Sequence, residues 1–188
     1  IGETDSDDGI FSNLNKGQND IFVLNIDLNG NAVSVNTYGG NDMDIIRSAI
    51  LNNSNDILIT GYTWSSDGVF QGMNIGPGYD PDIFILNING TGNVKWLSSA
   101  GGTSSDEGTC ISQTNDGGYI LTGRTDSNDG DFNGLAKGEA DIFVLSLNSS
   151  GDLNWLNTYG GSDNDIGQCI IQTEDGGYSV IGSSYSDD

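Results

Sequence analysis

Asp141-Ile142-Phe143-Val144-Leu145 is the third appearance of a segment already present as Asp20-Ile21-Phe22-Val23-Leu24 and Asp82-Ile83-Phe84-Ile85-Leu86, at spacings of 62 and then 59 residues. The pairs Gly39-Gly40, Gly101-Gly102 and Gly160-Gly161 keep the same two spacings, and so do Gly61, Gly123 and Gly182. A register held in this way marks a repeat of roughly 60 residues, a supersecondary unit that buries its apolar face on its neighbours. The 188 residues therefore read as a single repeat region with units over about 8–66, 67–128 and 129–188. Gly2 to Gly9 parallels Gly123 to Gly130, so residues 1–9 read as the tail of a preceding unit.

Within the unit 67–128, strand-like segments cover Asp82 to Asn89, Asn93 to Ala100, Asp106 to Thr114 and Tyr119 to Arg124. Asn89-Gly90-Thr91-Gly92 and Asp116-Gly117-Gly118 supply hairpin turns between them. Ile83-Phe84-Ile85-Leu86 is apolar on both faces, which suits a sheet packed between two other sheets. With 29 glycines, two prolines and no helical periodicity, the composition predicts an all-β protein of many short turns.

The series Asp141-Ile142-Phe143-Val144-Leu145, Gly151-Asp152-Leu153-Asn154-Trp155, Tyr159-Gly160-Gly161 and Gln172-Thr173-Glu174-Asp175-Gly176-Gly177-Tyr178 resembles the β-propeller repeats of large secreted and cell-surface bacterial proteins. The resemblance implies a β-propeller-like array of four-stranded antiparallel blades, about three blade-equivalents in all. By analogy with other propellers the strand after the double glycine is innermost. The Gly-Gly-Tyr, Asp-Ile-Phe and Trp-bearing strands follow outward, and the four segments of unit 67–128 are assigned to one blade. Residues 20–39 then form a half-blade lacking two inner strands, and residues 165–184 one lacking two outer strands. Propellers have roughly 4–8 blades, so the ring is expected to be completed by the rest of a longer chain or by further copies of this one. Exposed half-blades also invite end-to-end joining into a filament. An extracellular or cell-surface location and a structural, adhesive or binding role follow from the same resemblance.

Charge narrows the partners. Against 27 acidic residues stand 5 basic ones, a net charge of −22, so nucleic acid is excluded because its phosphates would go unneutralised. No apolar run reaches membrane-spanning length, and insertion into a membrane is not expected. The chain has no histidine, which removes the commonest general base, and neither cysteine has a neighbour in sequence that marks it as a nucleophile. No enzyme activity is expected. Cys110 and Cys169 each lie eight residues beyond the double glycine of their unit, where the first unit has Ser48; the position calls for a small side chain, and no disulfide is expected.

Two features remain as candidate sites. Asp126-Ser127-Asn128-Asp129-Gly130-Asp131 and Asp5-Ser6-Asp7-Asp8-Gly9 alternate carboxylate and amide oxygens around a glycine, as a loop holding a hard cation does. Calcium is the cofactor this suggests, with Asp126, Asn128, Asp129, Asp131, Asp5, Asp7 and Asp8 as ligands. The spacing departs from the EF-hand loop, and the same residue types also build turns. Asp20, Asp82 and Asp141, and likewise Asp44, Asp106 and Asp165, recur at strand starts, which favours hydrogen bonding to loop amides over a unique site. The second feature is aromatic. Trp64 has Asp126, Asp5 and Tyr185 as counterparts, so it faces a polar loop and is the candidate platform for a glycan, in a carbohydrate-binding or carbohydrate-active propeller. Trp96 and Trp155, equivalent to Ser34, are expected to cover a sheet edge as core.

Overall fold

The computed structural model describes residues 1–73 and 80–187. Among these, 13 strands form four antiparallel sheets, with neighbours in each sheet following chain order. The first contains β1 (Gly2–Thr4), β2 (Asp20–Ile26) and β3 (Ala32–Tyr38). Four strands make the second: β4 (Asp44–Leu51), β5 (Ile57–Thr63), β6 (Asp82–Ile88) and β7 (Val94–Ala100). The third repeats it with β8 (Asp106–Gln113), β9 (Tyr119–Thr125), β10 (Asp141–Leu147) and β11 (Leu153–Tyr159), and the fourth holds β12 (Asp165–Gln172) and β13 (Tyr178–Ser184).

The order of strands across a sheet is the expected one, and residues 165–184 form a two-stranded sheet as expected, but the four segments of unit 67–128 are divided between two sheets. β8 and β9 pair with β10 and β11, whereas β6 and β7 belong with β4 and β5. The long acidic loop does not carry the chain to a new sheet. It returns the chain antiparallel beside the strand just left, in a register that sets Asp82 opposite Thr63 and Asp141 opposite Thr125. The double glycine makes the crossing instead. Residues 20–39 also gain an inner neighbour, because Gly2–Thr4 pairs with Asp20–Phe22.

The first strands of the second, third and fourth sheets, β4, β8 and β12, are each bulged once. Pairing skips Arg47, Thr109 and Gln168, so register shifts between Ile46 and Ser48, Gly108 and Cys110, and Gly167 and Cys169. An added residue bends the strand and sharpens its twist. β4 packs beside β8, and β8 beside β12, so the first strands of these three sheets stand next to one another while the sheets stack face to face.

Such stacking explains why β6 is buried at all seven positions. Leu58, Ile83 and Ile85 meet Ile111, Leu121 and Phe143 between the second and third sheets, and each such side chain contributes about 1.5–3 kcal/mol on burial. One core element was not legible in the repeat. Short 3-10 turns carry Phe11, Phe70 and Phe132 back under the loops, against Phe22, Phe84 and Phe143, with ring centroids 5.1, 5.1 and 5.9 Å apart.

Candidate functional site

The acidic loops meet the double-glycine turns, and there the recurrent carboxylates find their partners. After β5 and β9 the chain reads Thr63-Trp64-Ser65-Ser66-Asp67-Gly68 and Thr125-Asp126-Ser127-Asn128-Asp129-Gly130. The Ser65 hydroxyl donates to Asp44 Oδ2 (3.2 Å), that of Ser127 to Asp106 Oδ2 (2.8 Å) and that of Ser186 to Asp165 Oδ2 (2.9 Å). The same three oxygens accept the amides of Gly40, Gly102 and Gly161 at 2.9, 2.9 and 2.8 Å. Two residues past the serine, Asp67 and Asp129 accept the amides of Asn41 and Thr103, both at 2.8 Å. Serine and aspartate together grip the turn by which the chain enters the sheet from the one before.

The second set of carboxylates lies across the same turn. Asp20 and Asp141 accept the amides of Lys16 and Lys137 at 2.8 and 2.5 Å. A Cβ on Gly39 would stand 1.8 Å from Asp20 Oδ1 and 2.7 Å from Asp44 Oδ2, and one on Gly160 would meet Asp141 and Asp165 at 2.2 and 2.7 Å. The first glycine of the pair is thus required by two buried carboxylates converging on it. Gly68 and Gly130, at φ +60° and +56°, close the latch against the carbonyls of Gly39 and Gly101.

Burial raises Asp44 to about 6, against the pull of hydrogen bonds from Thr63, Gly40 and Ser65, and the Asp20 charge pushes the same way. Asp106 is raised to about 6 for the same reason, opposed by Thr125, Ser127 and Gly102. Hydrogen bonding from Ser184 holds Asp165 below its ordinary value. Such carboxylate pairs superficially suit acid and base chemistry. Asp20, Asp44, Asp106 and Asp141 are nevertheless wholly enclosed, at 0% exposure, and their hydrogen bonds go to the chain itself. They fasten the loops and turns at the strand starts.

The residues singled out for calcium are spread over separate tasks. Asp126 pairs with Arg124 at 2.6 Å, Asp129 binds Thr103, and Asp131 accepts the Gly101 amide at 3.1 Å. Asn128, Asp5, Asp7 and Asp8 are exposed, and the Asp8 carbonyl closes the 3-10 turn by accepting the Phe11 amide. Among the described residues, no three acidic, cysteine or histidine side chains are gathered to hold a metal. Trp64 is half-buried, edge-on to Tyr62 at 5.3 Å, with its amide on the Met43 carbonyl. Trp96 and Trp155, also half-buried, pack on Tyr119 and Tyr178 of the following sheet at 5.8 and 5.9 Å.

A polar cleft of about 590 Å³ opens where the turns of the second sheet meet the third. Its wall carries the Lys95–Asp56 ion pair at 2.7 Å and the edge of Trp96, with Ser149 and Ser150 on the far rim. Asn87 lies beneath, 2% exposed, and its Oδ1 has no hydrogen-bond partner. In the first sheet the equivalent Asn25 donates through Nδ2 to Ser34; in the second, Trp96 stands in that serine's place. This cleft was not legible in the sequence, because its parts lie in three separate turns and four strands. No family model matches this chain, and no curated protein is significantly similar to it.

Proposed function

We propose that this chain is a non-enzymatic structural and binding module of a secreted or cell-surface protein, built as a segment of a propeller. The side-by-side packing of β4, β8 and β12, each the first strand of its sheet, supports a propeller arrangement, completed by further chain or further copies. One observation carries the functional reading: the acids that recur in every unit fasten the turn by which the chain passes from one sheet to the next, so they build the frame. Function in such a frame resides in the surface it displays, with glycans and proteins of the extracellular matrix as the partner classes.

Glycan binding is a second reading, favoured by the unpaired Asn87 oxygen under a cleft lined by hydroxyls, amides and an aromatic edge. One experiment addresses both. The protein is tested on a glycan array and a panel of matrix proteins, and incubated with the same glycans to detect cleavage. Binding without turnover is the expected outcome, and glycan binding weakened by Lys95→Ala places it in the cleft. Turnover abolished by a single carboxylate substitution would overturn the non-enzymatic reading.

A further inference from the structure

Cys110 and Cys169 occupy the same position of consecutive units, the residue just after the bulge of a sheet's first strand. Because β8 and β12 are neighbours, this equivalence brings the two side chains together. Their Sγ atoms are 3.5 Å apart, both thiols are free, and both residues are half-buried. Ser48 continues the column on β4, its Oγ accepting the Ile111 amide at 3.4 Å, and the Cys110 thiol meets the Ile170 amide in the same way.

We propose that Cys110 and Cys169 are an oxidation site that closes into a disulfide joining the third sheet to the fourth. A disulfide needs sulfurs about 2.05 Å apart, so these thiols, 3.5 Å apart, need to approach by only about 1.5 Å. The co-reactant is a small-molecule disulfide such as oxidised glutathione. One cysteine thiolate attacks it, forming a mixed disulfide and releasing one glutathione thiol; the second cysteine thiolate attacks the protein sulfur and releases the other. Two protein thiols and one glutathione disulfide become one protein disulfide and two glutathione thiols, with both thiol protons accounted for. The bond spans 59 residues and ties the two-stranded sheet β12–β13 to the body. It does not depend on the module function proposed above.

The folded protein is incubated with excess oxidised glutathione at pH 8.5, since burial raises the Cys110 thiol above its ordinary value. Expected are a monomer lighter by about 2 Da with no titratable thiol, a Cys110–Cys169 cross-linked peptide on mapping, and a melting temperature higher by on the order of 10 °C. Cys110→Ser and Cys169→Ser fold, because Ser48 holds this position in the second sheet; each accumulates only the mixed disulfide and shows no such rise. Two thiols still titratable in the native protein, glutathione retained on one cysteine of the unsubstituted chain, or linkage only between chains would overturn the proposal.

Discussion

Acidification from pH 7.5 to 5 is expected to stabilise this protein, and the buried latch carboxylates set the size of the effect. Asp44 and Asp106 are raised from an ordinary 3.8 to about 6, so between those values the folded state binds protons that the unfolded chain does not. A group raised on folding favours the folded state most below its unfolded value, and that advantage is lost as pH climbs through the folded value. Integrating from pH 7.5 to 5 gives about 1.4 kcal/mol per carboxylate and about 3 kcal/mol for the two. With an unfolding entropy of about 0.4 kcal/mol/K for a chain of this length, the melting temperature rises by roughly 7 °C. Asp20 and Asp126, both raised by burial, act in the same direction. Asp27, Asp116, Asp165 and Asp175 are lowered by hydrogen bonds, so the stability they contribute is lost only as pH falls below 3.8. Calorimetry at half-unit steps tests this, repeated in 0.5 M salt to screen the repulsion among the exposed acids of this strongly acidic chain while leaving enclosed groups largely unaffected. Asp106→Asn keeps the shape of the latch and should remove about half of the slope. A melting temperature flat from pH 7.5 to 5, or a slope unchanged by that substitution, would refute the assignment.

Phe132→Ala removes a fully buried ring from beneath the third loop and should cost about 3–5 kcal/mol, a fall of roughly 8–13 °C by calorimetry, whereas half-buried Phe11→Ala should cost distinctly less. Calcium and magnesium at equal ionic strength should shift the melting curve alike, because Asp126, Asp129 and Asp131 are engaged with Arg124, Thr103 and Gly101. A rise specific to calcium and reversed by chelator would instead assign it a site in the loop.

The strand pattern of the Asp-Ile-Phe segments was legible because burial on both faces leaves an unbroken apolar run, and β6 is buried throughout as that run requires. The strand-start aspartates were legible for a related reason: a charged residue recurring at one structural place needs the same partner each time, and the amides of Lys16, Gly40 and their counterparts supply it. Assigning all of unit 67–128 to one blade failed because chain repeats and sheets need not share boundaries; a repeat cut at any point of its period looks the same. Phe70 and Phe132 were passed over in their polar loops, since one or two apolar residues carry no periodicity.

By itself the sequence determined the unit and its four strands, because side-chain alternation and turn chemistry are local properties of the chain; the order of those strands across a sheet came from the resemblance to propeller repeats. Tertiary structure alone decided which long-range neighbours met. It set Ser65 and Ser127 on buried carboxylates, turned Asp126, Asp129 and Asp131 toward separate partners, and assembled the polar cleft from distant turns and strands. It also set Cys110 against Cys169 across 59 residues of chain, a contact that depends on which sheet packs on which.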